Sequence, residues 1–134
     1  MMPNPTERSR RIKLVSKKDM AFYKLALKIS EESLCDDRHG AVIVKSGRVL
    51  ALGTNMRSNG HAYSTLFFRT HMHAEQRAIG KCRAKCEGST IYSARDYPSN
   101  PISLPCEMCM QLIIWAGIKK IIYHDGKEVR SIKL

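Results

Sequence analysis

Lys120-Ile121-Ile122-Tyr123-His124-Asp125-Gly126-Lys127-Glu128-Val129 reads as a strand, a tight turn and the start of a second strand. The β-branched and aromatic run over 120–123 suits a pleated, buried segment. Asp125-Gly126 is a strong hairpin signal. A parallel return to the same sheet needs a crossover of about a dozen residues, and only His124 to Glu128 are available. The last two strands, 120–123 and 129–134, are therefore expected to be antiparallel neighbours.

Working outward from that hairpin, Cys106 through Leu112, Ile113, Trp115 and Ala116 reads as a helix that Gly117 ends. Trp115 is expected on its core-facing side. Thr90-Ile91-Tyr92 reads as a strand. A further helix begins at His73, with Ala74, Ala78 and Ile79 on its buried face. Ala41-Val42-Ile43-Val44 and Val49-Leu50-Ala51-Leu52 flank Ser46-Gly47 and predict another hairpin. Ser16 and Asp19 fit a capping start for a first helix over 16–34, on which Met20, Tyr23, Leu27 and Leu34 recur at helical spacing. Residues 53–71, with Tyr63, Phe67 and Phe68, form a long loop, and one of those rings is a candidate to stack on a ligand. Strands and helices alternating in this way make an α/β sandwich.

The chain has 134 residues, enough for one domain over 16–134 preceded by an arm, 1–15. The arm carries Arg8, Arg10, Arg11 and Lys13 and offers a contact for nucleic acid. The net charge of +11, from 23 basic and 12 acidic side chains, favours phosphorylated or polyanionic partners without naming one. No apolar run reaches the roughly 18 residues of a membrane span, and the N-terminus lacks the apolar stretch of a secretory signal. A cytoplasmic protein with no membrane partner is expected. An odd number of cysteines, 5, argues against a disulfide framework and leaves thiols for a metal.

Two short clusters carry chemistry, His73-Ala74-Glu75 and Pro105-Cys106-Glu107-Met108-Cys109. The C-x-x-C spacing lets two sulfurs reach one tetrahedral Zn²⁺, and a helix N-terminus favours their thiolates. His73 supplies a third ligand, leaving a fourth position for water, whose pKa falls from about 15.7 toward about 7 on a catalytic zinc. Glu75, two residues beyond His73, is placed to move protons beside that water. A structural zinc site is the alternative, with His71, Cys35, Cys82 or Cys86 as fourth ligand; a redox C-x-x-C is a weaker one. Cys82 and Cys86, spaced i, i+4, read as free thiols in preference to a second metal site.

The combination H-x-E with P-C-x-x-C resembles the cytidine and deoxycytidylate deaminase superfamily over residues 16–134. The resemblance implies a three-layer α/β/α fold around a five-stranded mixed sheet. It implies zinc on His73, Cys106 and Cys109, Glu75 as proton shuttle, and Asn55, at the end of the second strand, as a substrate contact. It also implies a homo-oligomer. The reaction would be hydrolysis of a cytosine-type base to uracil with release of ammonia, on free (deoxy)cytidine or (deoxy)cytidylate. A deaminase of cytosine or adenine in single-stranded nucleic acid and a non-catalytic zinc-stabilised module remain alternatives. Arg95 and Arg69 are candidates to meet a substrate phosphate.

Overall fold

The computed structural model describes residues 15–57, 71–97 and 99–134. Residues 1–14 of the basic arm, together with Tyr63, Phe67, Phe68 and Arg69, lie outside the described residues.

Strands β1 (Arg38–Lys45) and β2 (Arg48–Thr54) form the first hairpin, turning through Ser46-Gly47, where both residues have positive φ. β1 also pairs antiparallel with β5 (Thr90–Asp96), β5 pairs parallel with β6 (Lys120–His124), and β6 pairs antiparallel with β7 (Val129–Lys133). The sheet order is β2-β1-β5-β6-β7. The short last connection does enforce an antiparallel pair. Its turn is held by Asp125, whose Oδ1 accepts the Lys127 and Glu128 N–H groups at 2.8 and 2.9 Å. A separate two-stranded pair, β3 (Met56–Arg57) with β4 (His71–Met72), lies within the stretch read as loop.

Side chains alternate across a strand, and β1 shows both faces in use. Ala41 and Ile43 join Ala74, Ala78, Ile79, Ile91, Ile113 and Ile121 in one apolar layer, under helices α2 (Ala74–Cys82) and α3 (Glu107–Trp115). Val42 and Val44 join Tyr23, Ala26, Tyr92, Ala94 and Ile122 in the other, under helix α1 (Lys17–Ser30). This is the expected three-layer α/β/α architecture. Among the described residues, no helix is long and apolar enough to cross a membrane.

Helix α1 begins as read, with Ser16 Oγ accepting the Asp19 N–H at 3.0 Å, but it ends at Ser30 and not at Leu34. The N–H groups of Glu31, Glu32 and Ser33 bond carbonyls three residues back, tightening the last turn. Ser33 Oγ then takes the Cys35 N–H, a local side-chain bond that competes with helix. Leu34 is left fully exposed.

Trp115 is likewise 81% exposed, against the expectation of a core residue. Helix α3 is apolar almost all round, so its pattern does not define a stripe. Cys109 and Ile113, one turn apart, take the buried face, and Ile114 and Trp115 fall outside it.

Candidate metal centre

Helix α2 is seated on β2 through Gly53. A Cβ at that position would lie 2.6 Å from the Ala74 carbonyl oxygen and 2.8 Å from the Ala78 nitrogen, so only glycine admits this approach. The helix is also tied to β2 by Arg77 Nη1, which donates to the Thr54 carbonyl at 2.9 Å and to Thr54 Oγ1 at 3.1 Å. Its N-cap is His73, whose N–H is received by Gln76 Oε1 at 2.9 Å. The chain therefore fixes the backbone of His73 and Glu75 before any ligand is considered.

The two cysteines arrive on a second helix start. Cys106 is the N-cap of α3 and Cys109 lies in its first turn. The segment leading to them is pinned by Ser103, which donates through Oγ to the Ser93 carbonyl at 2.6 Å and accepts the His124 N–H at 2.8 Å. Strands β5 and β6 thus hold the cysteine-bearing loop.

His73 Nδ1 lies 3.7 Å from Cys106 Sγ and 3.4 Å from Cys109 Sγ. A tetrahedral zinc with ordinary Zn–S and Zn–N bonds sets its ligand atoms about 3.6 Å apart, so the three side chains already stand at coordination spacing. Burial, the Glu75 carboxylate and Cys106 together push the Cys109 thiol far above its usual range. A buried thiol beside a carboxylate and a second thiol is the setting a divalent cation relieves. The donor set therefore fits zinc, with His73, Cys106 and Cys109 as holders.

Among the described residues, the metal-capable group comprises these three alone. Cys82 and Cys86 are buried in the apolar layer under α2, and Cys35, though on the same cavity, is not within reach of the group, so none of them completes a structural site. The side chain of His71 lies outside the described residues.

The centre opens into a cavity of about 510 Å³, whose lining includes His73, Glu75, Cys106, Asn55, Asp37 and His39. Glu75, one of the lining residues, is only 5% exposed. Asn55 is held by three partners. Its Oδ1 accepts the Ser33 hydroxyl at 2.7 Å and the His39 N–H at 2.9 Å, and its Nδ2 donates to the Asp37 carbonyl at 2.7 Å.

Arg95 does not present an open fork to the cavity. Its Nε and Nη2 donate to the two Asp37 carboxylate oxygens at 2.7 and 2.8 Å, and its guanidinium stands 5.1 Å over the Tyr97 ring. The pair holds the Asp37 carboxyl below its usual range, chiefly through the Arg95 hydrogen bonds. Asp37, His39 and Ser33 were not singled out by sequence reasoning. Asp37 lies just beyond the helix expected over 16–34, and no local pattern marks a residue whose partner lies 58 positions away.

Residues 16–125 match the sequence profile of the cytidine and deoxycytidylate deaminase zinc-binding region. A probable cytosine deaminase of Schizosaccharomyces pombe is 30% identical over 120 residues, covering 85% of this chain and 64% of the relative. The deoxycytidylate deaminase of Mus musculus is 32% identical over 114 residues, covering 71% of this chain and 60% of the relative. The chain thus spans about three fifths of the length of these curated relatives. Among solved structures, dCMP deaminase from the cyanophage S-TIM5 superposes with a TM-score of 0.60 at 29% identity, over 81% of this chain and 82% of that one. Cytidine deaminase from Burkholderia pseudomallei superposes with a TM-score of 0.65 over 89% and 93% of the two chains, a likeness of fold at 18% identity.

Proposed function

Because the chain belongs to the cytidine and deoxycytidylate deaminase family, we propose that it hydrolyses the exocyclic amine of a cytosine-type base to give the uracil counterpart and ammonia. The observation that carries the reading is the closure of His73 Nδ1 to within 3.7 Å of both cysteine sulfurs, in the same cavity as Glu75.

Zinc held by His73, Cys106 and Cys109 would supply an activated water at neutral pH. Glu75 does the proton work: it takes one proton from the attacking water and passes it to the ring nitrogen, then takes the second from the hydroxyl left on the ring carbon and delivers it to the departing amine. Its place two residues after a ligating N-cap keeps the carboxylate beside the metal without making it a ligand. Its burial excludes competing solvent and strengthens its electrostatic influence.

Asn55 is the substrate contact in this reading. Its Oδ1 lone pairs are taken by Ser33 and His39, and one Nδ2 hydrogen by the Asp37 carbonyl. An amide carries two donors, so one N–H remains for a substrate oxygen. Free (deoxy)cytidine or (deoxy)cytidylate is the substrate class.

The test is ammonia release by zinc-loaded protein from cytosine, deoxycytidine, dCMP and short single strands. Glu75→Gln is expected to keep one zinc per chain and lose at least about 10²-fold in rate. Absence of ammonia from every substrate, or an equally active Glu75→Gln protein, refutes the reading.

A further inference from the structure

The Arg95–Asp37 pair bears on which cytosine derivative enters. An Arg fork donating two parallel hydrogen bonds to a carboxylate has the geometry in which it would hold a phosphate. The Nε and Nη2 edge of Arg95 donates to the two Asp37 carboxylate oxygens, at 2.7 and 2.8 Å. Asp37 itself lines the cavity that holds Glu75 and His73, with its side chain 45% exposed. Its backbone carbonyl receives Asn55 Nδ2, and its Oδ1 lies 3.3 Å from His39 Nε2. The carboxylate is therefore fixed next to the residue left to contact substrate. It is an anion at neutral pH, because the Arg95 hydrogen bonds favour its charged form.

We propose that Asp37, whose carboxylate lines this cavity while holding the Nε and Nη2 edge of Arg95, makes the site select the nucleoside over the nucleotide. The proposal rests on the cytosine-deaminating reading of the same cavity. A phosphorylated substrate that approaches this wall places its own charge beside the Asp37 carboxylate, and taking the Nε and Nη2 edge of Arg95 requires breaking that bidentate pair. A hydroxyl group does neither, and it can share the carboxylate as a hydrogen-bond acceptor. Specificity of this kind is set by a group that repels the wrong ligand.

The experiment measures binding of deoxyuridine and dUMP, the two product forms, to zinc-loaded protein by titration calorimetry. The wild type is expected to bind deoxyuridine at least tenfold more tightly than dUMP. Asp37→Asn removes the charge at nearly constant shape and is expected to shift that ratio at least tenfold toward dUMP. Adding Arg95→Gln to Asp37→Asn should cancel the gain, because the freed fork is what receives the phosphate. A wild type that prefers dUMP, a ratio unmoved in Asp37→Asn, or failure to bind either ligand overturns the proposal. The wild-type ratio decides the matter even if the variants do not fold. Binding is read without turnover, so a preserved preference with no ammonia release sinks only the catalytic reading. Ammonia release with a preference for dUMP sinks only this one.

Discussion

Replacing Gly53 by alanine puts a methyl group against the backbone of helix α2, and the structure fixes how much must give. The new Cβ would stand 2.6 Å from the Ala74 carbonyl oxygen and 2.8 Å from the Ala78 nitrogen, whereas ordinary contact begins at 3.4 Å. Neither neighbour is a flexible side-chain end, so the helix must back away by about 0.8 Å, at an overpacking cost of about 1–3 kcal/mol. That helix begins at His73 and carries Glu75, and a preorganised site tolerates displacements of only about 0.5 Å. Zinc affinity is therefore expected to fall at least about tenfold, the lower end of what disturbing a ligand's support costs. Gly40→Ala is the matched control. Its Cβ would meet the Ala26 carbonyl oxygen of α1, on the opposite face of the sheet, even more closely. It should lower the urea midpoint at least as much and leave zinc affinity alone. Urea denaturation and competition with a chromophoric chelator read the two quantities separately. If Gly53→Ala binds zinc like the wild type, or Gly40→Ala weakens zinc equally, the idea that Gly53 sets the position of His73 is wrong.

Alkylation of the zinc-free native protein should modify Cys106 and Cys35, and zinc should protect Cys106 alone. Cys82 and Cys86 should react only after unfolding, since both are buried and burial with the neighbouring Cys82 pushes the Cys86 thiol up to about 12; peptide mass spectrometry distinguishes the sites. Tyr92 donates to Asp19 Oδ1 at 2.7 Å, and burial, then Asp19, raises its phenol above the ordinary value of 10.0. The unfolded chain ionises first, so this contribution is complete below about pH 10 and is lost as the pH rises beyond it. Tyr92→Phe should flatten that alkaline decline and cost about 0.5–1.5 kcal/mol at neutral pH; an unchanged pH profile of urea unfolding counts against it. Trp115→Ser should change stability by less than about 0.5 kcal/mol, and the native emission of the lone tryptophan should be readily quenched by acrylamide; a shielded, blue-shifted spectrum contradicts the described exposure.

What the chain reveals by spacing it reveals well. The five residues His124 to Glu128 are too few for a crossover, and the final pair is antiparallel. Of the four side chains that H-x-E and C-x-x-C name, the fold gathers His73, Cys106 and Cys109 into one group and puts Glu75 on the same cavity. Patterns mislead where apolar residues are abundant without a stripe, as on α3, and where a serine interrupts a helix, as Ser33 does before Leu34. The small β3–β4 pair has two residues per strand, too short to show periodicity. The bond from Arg95 to Asp37 joins positions 58 apart, and nothing local in either segment announces it. Chemistry written in short motifs was legible; the long-range pairs that shape the cavity required coordinates.

Ser103 fastens the approach to Cys106 onto two strands of the sheet by its own hydroxyl, with no help from an ion. Neither apolar layer on that sheet includes His73, Cys106 or Cys109. Metallation and folding are therefore expected to be separable, unlike a zinc finger, which collapses when its metal is withdrawn. Chelation should yield a native-like apoprotein that takes up one zinc per chain when the ion is added back.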